Sequence, residues 1–231
     1  MKKIIKPFKK IIKLFKKVKW YNLRTTKPIS RVFGLDRGQP IDRYYIESFL
    51  KDNSSSIKGK VLEIADNTYT KKFGGQNILE SEVLHAVDGN PKATIIGDLV
   101  TGQGLPENAF DCFILTQTLQ FIYDIHSAAG NVVKCLKPGG VALITVAGIS
   151  QISRYDMKRW GDYWRFTDRS LTMLFEENVP KENIKIKTYG NVLSSIAFLH
   201  GLASEELTQE ELDYTDQDYQ MLITAVIRRP L

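Results

Sequence analysis

The densest set of side chains suited to chemistry lies in one short segment, Arg159-Trp160-Gly161-Asp162-Tyr163-Trp164-Arg165-Phe166-Thr167. Aromatic planes beside charged groups suit a sugar or another polar ring. The guanidiniums of Arg159 and Arg165 have the fork geometry that clamps a phosphate or carboxylate. Trp160, Tyr163 and Trp164 would complete such a substrate site. The plainer alternative is that the aromatics close the core and Thr167 caps the next helix. A second set, Glu63, Glu82, Asp98 and Gln117, sits at or near the ends of short apolar runs, where a buried strand presents its last polar group. Metal chemistry has no comparable support. His85, His126 and His200 are scattered, and Cys112 and Cys135 lie inside apolar segments. Buried thiols in a reducing compartment are expected, with neither a metal site nor a disulfide framework.

These groups need a scaffold, and the chain after residue 57 alternates in the manner of one. Val61–Ile64, Asn77–Val83, Thr94–Ile96, Phe110–Leu115 and Val141–Val146 read as strands, with a helix over Ala128–Cys135 that stops at a Lys137-Pro138-Gly139-Gly140 turn. Short buried strands separated by helices predict a mostly parallel sheet covered on both faces. Ile184–Tyr189 and Tyr219–Arg228 read as two further strands. Between them lie a helix over Val192–Ala203 and an acidic helix opened by Thr208-x-x-Glu211, a capping-box pattern. Before this body, residues 25–40 form an irregular lead-in, and Asp42 is placed to cap a helix from Arg43 to Lys51. Three regions result: a tail at 1–24, a lead-in and cap segment at 25–59, and a main domain at 60–231 with a substrate-side loop around 150–168.

Charge separates the tail from the rest. Residues 1–24 hold ten lysines and arginines and no acid; subtracting these from the net charge of +6 leaves −4 for the remainder. A nucleic-acid groove across the body is therefore not expected. In the tail, Ile4, Ile5, Phe8, Ile11, Ile12, Phe15 and Val18 recur at steps of three and four among the lysines. That spacing predicts an amphipathic helix from about Pro7 to Trp20. Its apolar runs are too short for a membrane span or a signal-peptide core. Three readings compete for it: an anionic membrane surface through residues 1–20, docking on the body or on a second copy, and nucleic-acid attraction.

Four segments together resemble the class I S-adenosylmethionine-dependent methyltransferases. They are Lys60-Val61-Leu62-Glu63-Ile64, Ile95-Ile96-Gly97-Asp98-Leu99, the run from Phe110 to Gln120, and Leu136-Lys137-Pro138-Gly139-Gly140-Val141-Ala142-Leu143-Ile144. The loop 159–167 and the lead-in Phe33–Tyr45 are similar to segments of the subgroup encoded with glycosyltransferase and polysaccharide genes. The resemblance implies an α/β Rossmann-like fold: a mostly parallel seven-stranded sheet with an antiparallel last strand, helices on both faces, and the N-terminal amphipathic helix added. It also implies S-adenosylmethionine as cofactor, with Glu63 orienting the amino group, Glu82 at the ribose, Asp98 beside the adenine and Gln117 facing the methionine end. The family's first loop is an acid followed by three glycines on alternate positions. Here Ala65, Asn67 and Tyr69 stand in those places, and Tyr69 would intrude unless the loop takes another route.

The expectation is thus methyl transfer to a small-molecule or glycan acceptor in polysaccharide or glycolipid biosynthesis. The protein would be cytoplasmic and held at the inner face of a membrane. An oxygen acceptor would need a general base, for which His126, Asp156 and Asp162 are the candidates. The alternative is a non-catalytic methyltransferase-like scaffold or partner-binding module.

Overall fold

A computed structural model describes residues 24–231, so the expected tail helix lies outside the described residues. Seven strands form one sheet in the order β3-β2-β1-β4-β5-β7-β6. They are β1 (Gly59–Ile64), β2 (Ile78–His85), β3 (Ile95–Ile96), β4 (Phe110–Thr116), β5 (Leu136–Ala147), β6 (Ile184–Tyr189) and β7 (Leu222–Arg228). The pairings from β3 to β5 are parallel, and β7 runs antiparallel to both β5 and β6. This is the Rossmann-like methyltransferase fold expected from the sequence.

Alternation along the central strands sends successive side chains to opposite faces and makes two cores. Leu62, Phe113, Leu115, Ala142 and Ile144 pack on one face against α3 (Ile125–Cys135) and α5 (Asp168–Glu176). On the other face Val61, Cys112, Ile114, Val141 and Leu143 meet α1 (Ile41–Asp52) and α6 (Val192–His200). Two short helices, α2 (Thr68–Gly74) and α4 (Arg154–Met157), border the carboxyl ends of the strands, and α7 (Gln209–Asp213) precedes β7. Both cysteines are buried and unpaired. The Thr208–Glu211 capping box forms as the sequence predicts, and Thr167 caps α5 through the amide of Ser170 at 3.1 Å.

Two local expectations change. Asp42 does not cap α1: Pro40 occupies that position and Asp42 lies in the first helical turn, where its carboxylate accepts only the Arg43 amide. Lys137–Gly140 is not a free turn but the irregular opening of β5. Phe110 pairs with Leu136 and Cys112 already with Val141, so the intervening residues bulge out. Lys137 anchors this bulge to Asp111 at 2.8 Å.

The lead-in is tied to the body at fixed points. The amides of Ile29 and Ser30 donate to His200 O, and Pro40 bridges to Ala203. Gly34 has φ of +86°, and a Cβ there would sit 2.6 Å from the Leu202 carbonyl oxygen, so the chain passes α6 only as glycine. This anchoring sets Phe33 and the start of α1 over the carboxyl ends of the strands.

Candidate functional site

A cavity of about 750 Å³ opens where β1, β2, β4 and β5 end, within the size range of small-molecule sites. In open α/β sheets that edge is where ligands bind. Ile64, Leu84 and Leu99 give it an apolar floor; residues 33–46 and 150–165 form its outer wall.

The floor begins with Glu63, the last acid of β1, only 3% exposed. Its carboxylate accepts the amides of Tyr69 at 3.1 Å and Thr70 at 2.7 Å, and the Thr70 hydroxyl at 2.7 Å. Glu63 therefore caps α2 from within the sheet, satisfying donors a helix start leaves open. Burial raises its pKa and these hydrogen bonds oppose the rise. The carboxylate shapes the loop rather than standing free for a ligand.

The three positions expected to be glycine behave differently from one another. Ala65 has φ of +67°, its amide donates to Leu84 O at 3.0 Å, and Asn90 Nδ2 holds its carbonyl at 2.7 Å. Asn67 has φ of −115°, and Tyr69 lies inside α2. Only the first position needs left-handed backbone, because α2 starts early and takes up the rest of the loop. Tyr69 does not block the loop. It stacks on Phe73 with ring centroids 6.1 Å apart and lines the cavity beside α1, its hydroxyl pushed up to about 12 by burial.

Asp98 lines the cavity and folds its own loop, accepting the Val100 amide at 2.8 Å and the Thr101 hydroxyl at 3.1 Å. Gln117, just past β4, has φ of +48° and also lines the cavity, with its amide held by Thr145 O at 2.8 Å. Glu82 is not brought to the site. β2 runs on to His85, so Glu82 stays within the strand and faces Lys60 at 3.5 Å; His85 and Ala86 reach the cavity instead. The next acid along the chain, Asp88, is exposed and accepts the Gly89 amide outside the cavity lining.

The aromatic loop divides. Trp160, Tyr163 and Arg165 line the cavity; Arg159 and Trp164 do not. Trp164 packs on the core and donates to Ile122 O at 3.0 Å, while Arg159 lies over the Tyr155 ring at 3.5 Å. Arg165 is bound to Asp162 through both carboxylate oxygens, and the Asp162 side chain is 1% exposed. The expected anion clamp is thus absent: one arginine points elsewhere and the other is committed to an internal ion pair. Asp162 is committed likewise, and His126 pairs with Glu177 at 2.8 Å outside the cavity lining. Of the three base candidates only Asp156, which takes the Ser153 hydroxyl at 2.5 Å, keeps a place in the cavity without a cationic partner among the described residues.

Among the lining residues that sequence reasoning missed, three carry polar groups that matter to the site: Asp42, Arg43 and Gln120. Asp42 and Arg43 enter from the first turn of α1, and burial raises the Asp42 carboxyl to about 6. Gln120 is 3% exposed, donates to Gln117 Oε1 at 2.5 Å, and leaves its own Oε1 without a partner. No sequence signal marks the cavity position of Asp42, since its helix-start pattern is shared with ordinary caps. Gln120 lies inside the post-β4 segment already singled out and was visible only as its last residue. Among the described residues no cluster of His, Cys, Asp or Glu is placed to hold a metal ion, and no helix is long and apolar enough to cross a membrane.

Residues 59–144 match a family model described as a methyltransferase domain. No curated protein matches the sequence. Among solved structures, the chain is similar to a SAM-dependent methyltransferase from Archaeoglobus fulgidus at 11% identity, with TM-score 0.53, over 81% of this chain and 94% of that one. It is similar to the N-methyltransferase NodS from Bradyrhizobium japonicum WM9 in complex with S-adenosyl-L-homocysteine at 16% identity, with TM-score 0.52, over 88% and 95%. A third neighbour is the [4+2]-cyclase SpnF, at 14% identity and TM-score 0.52, over 84% and 85%. At these identities the likeness is one of fold.

Proposed function

We propose that the chain is an S-adenosylmethionine-dependent methyltransferase acting on a small-molecule or glycan acceptor. The observation that carries this reading is the cavity at the carboxyl ends of β1, β2 and β4, whose floor is built from strands within the stretch matched by the methyltransferase family model. The residues present fit the cofactor. Ala65 already holds the left-handed backbone that lets a ligand approach the first loop, and Ile64, Leu84 and Leu99 offer apolar walls for a base beside Asp98. Ala65, Asp98 and Gln117 would hold it, with Glu63 acting through α2. When bound, the cofactor supplies a sulfonium-activated methyl group. The protein's part is then largely positioning and exclusion of water, which for an in-line displacement accounts for much of the rate.

A role in polysaccharide or glycolipid assembly draws on the lead-in and the 159–167 loop. Peripheral attachment to an anionic leaflet draws on the lysine-rich residues 1–20. The second reading, a partner-binding module without cofactor, has one observation in its favour: Glu63 and Asp98 are already engaged by their own loops. Calorimetric titration with S-adenosylhomocysteine separates the two. Micromolar affinity that falls in Glu63→Ala and Asp98→Ala is the expected result. A folded protein that binds neither S-adenosylhomocysteine nor S-adenosylmethionine would select the second reading.

A further inference from the structure

The charges lining the cavity are unbalanced. Asp42, Glu63, Asp66, Asp98, Asp156 and Asp162 face it, against Arg43 and Arg165. Arg165 is neutralised by Asp162, and Glu63 is absorbed by the start of α2. Asp66 has Lys92 at 3.6 Å. That leaves Asp98 on the floor, engaged by its own loop, and Asp42 and Asp156 on the outer wall, all three with no ion pair among the described residues. Arg43, exposed and next to Asp42, offsets one charge at most. A low-dielectric cavity with this balance repels phosphate and carboxylate ligands and favours cations.

Gln120 carries an independent and complementary sign. Its buried Oε1 is an acceptor with no donor. Turning both glutamine amides over keeps their mutual hydrogen bond but leaves an orphan donor in its place, so in either assignment a water or a ligand group would complete the pair. Only the assigned orientation fits the surrounding acids, because the missing group must then be an N–H or O–H donor. An orphaned buried polar atom costs about 1–3 kcal/mol unless something fills it. Gln120 also anchors the outer wall, its carbonyl accepting the Tyr163 amide at 2.8 Å. Trp160, Tyr163 and Tyr123 add aromatic surface to the same wall, the surroundings in which cationic groups bind well.

We propose that the acceptor is an ammonium-bearing small molecule or amino sugar, held by Gln120 Oε1 and the acids of the outer wall and methylated on nitrogen, with Asp42 as general base. The proposal rests on the methyl-transfer reading. Asp42 takes one proton from the ammonium and frees the nitrogen lone pair. The nitrogen–carbon bond then forms as the methyl–sulfur bond of the sulfonium donor breaks, its electron pair staying on sulfur as a neutral thioether. The product nitrogen carries the positive charge, and the proton on Asp42 passes to solvent. A carboxylate made more basic by burial is better suited to this transfer than an ordinary one. Arg43 acts on Asp42 directly; Glu47 and Glu63 join the two of them around Tyr69, and Asp156 with the Asp162–Arg165 pair shares the cavity lining from the loop.

The test uses the full chain saturated with S-adenosylhomocysteine. Glucosamine, galactosamine and short aliphatic diamines are titrated against glucose, galactose and glucose 1-phosphate. Amines should bind at least tenfold tighter than the hydroxyl counterparts, with the phosphate weakest. Gln120→Leu and Asp42→Asn should each reduce amine affinity by tenfold or more, and in Asp42→Asn, which makes no contact with the cofactor-holding residues, S-adenosylhomocysteine binding should change less than threefold. Equal or tighter binding of the sugars or the phosphate, no binding of the amines, or amine binding indifferent to both variants would overturn the inference and leave the methyl-transfer reading standing. Failure to bind S-adenosylhomocysteine at all would overturn both.

Discussion

The floor and the outer wall of the cavity use the same side-chain types for opposite ends. On the floor, carboxylates are spent on the chain's own donors: Glu63 receives two amides of α2, and Asp98 one amide and one hydroxyl of its own loop. On the wall, Asp42 takes a single amide and Asp156 a hydroxyl, while Gln120 leaves an oxygen unpartnered between the two regions. A polar group that is satisfied internally fixes shape. One that is left incomplete is available to a ligand and costs stability until that ligand comes.

Removing a floor carboxylate should therefore cost the most. Glu63→Ala orphans two amides and a hydroxyl in a buried place and should lower stability by about 3 kcal/mol, measured by denaturant unfolding, with cofactor affinity lost alongside. Within the wall, Asp162→Ala should cost about 2 kcal/mol, because it frees the Ser153 amide and leaves the partly solvated Arg165 with carbonyl partners only. A loss as large as that of Glu63→Ala would blur the distinction between the regions.

Asp42→Asn should move the other way. Its carboxyl titrates near 6 in the folded protein against an ordinary value of 3.8, so the folded state holds the proton more tightly than the unfolded chain. Through this group, stability is fullest below about pH 4 and declines as pH rises through 6. The amide variant removes that decline and should raise Tm at pH 7 by a few degrees, roughly 1 kcal/mol, with no gain at pH 4. A Tm that falls at pH 7 would place Asp42 among the structural acids. The smallest effect belongs to Ala65→Gly, which relieves a left-handed alanine and adds backbone freedom to the unfolded chain. Thermal unfolding should show a gain of at most about 1 kcal/mol, with S-adenosylhomocysteine affinity unchanged.

The contrast also explains what the sequence could show. Strands buried on both faces are continuous apolar runs, so Phe110–Leu115 and Val141–Val146 could be read directly. Ile184–Tyr189 was legible to the residue. Edges were harder. The apolar pattern ends β2 at Val83 and so makes Glu82 an end-of-strand acid; two more residues of strand move the reaching positions to His85 and Ala86. Asp42 shows the same sensitivity at a helix start: Pro40 holds the cap, and a start two residues earlier turns a capping acid into a wall residue. The partners of Arg165 and His126 were illegible for another reason. Asp162 lies three residues from Arg165, but outside a helix that spacing does not dictate a pair, and Glu177 meets His126 only through the packing of separate segments.

The insertion of β7 between β5 and β6 has a consequence for biosynthesis. Residues 222–228 are the last described strand to leave the ribosome, yet β6 pairs with nothing else in the sheet. Until they emerge, β5 presents an open apolar edge and β6 has no place to dock, so the nascent chain passes through a stage prone to edge-to-edge association. A stop codon anywhere before Leu222 would not trim the protein but hold it at that stage. Chaperone cover of the β5 edge until residues 222–228 pair would accordingly limit that association.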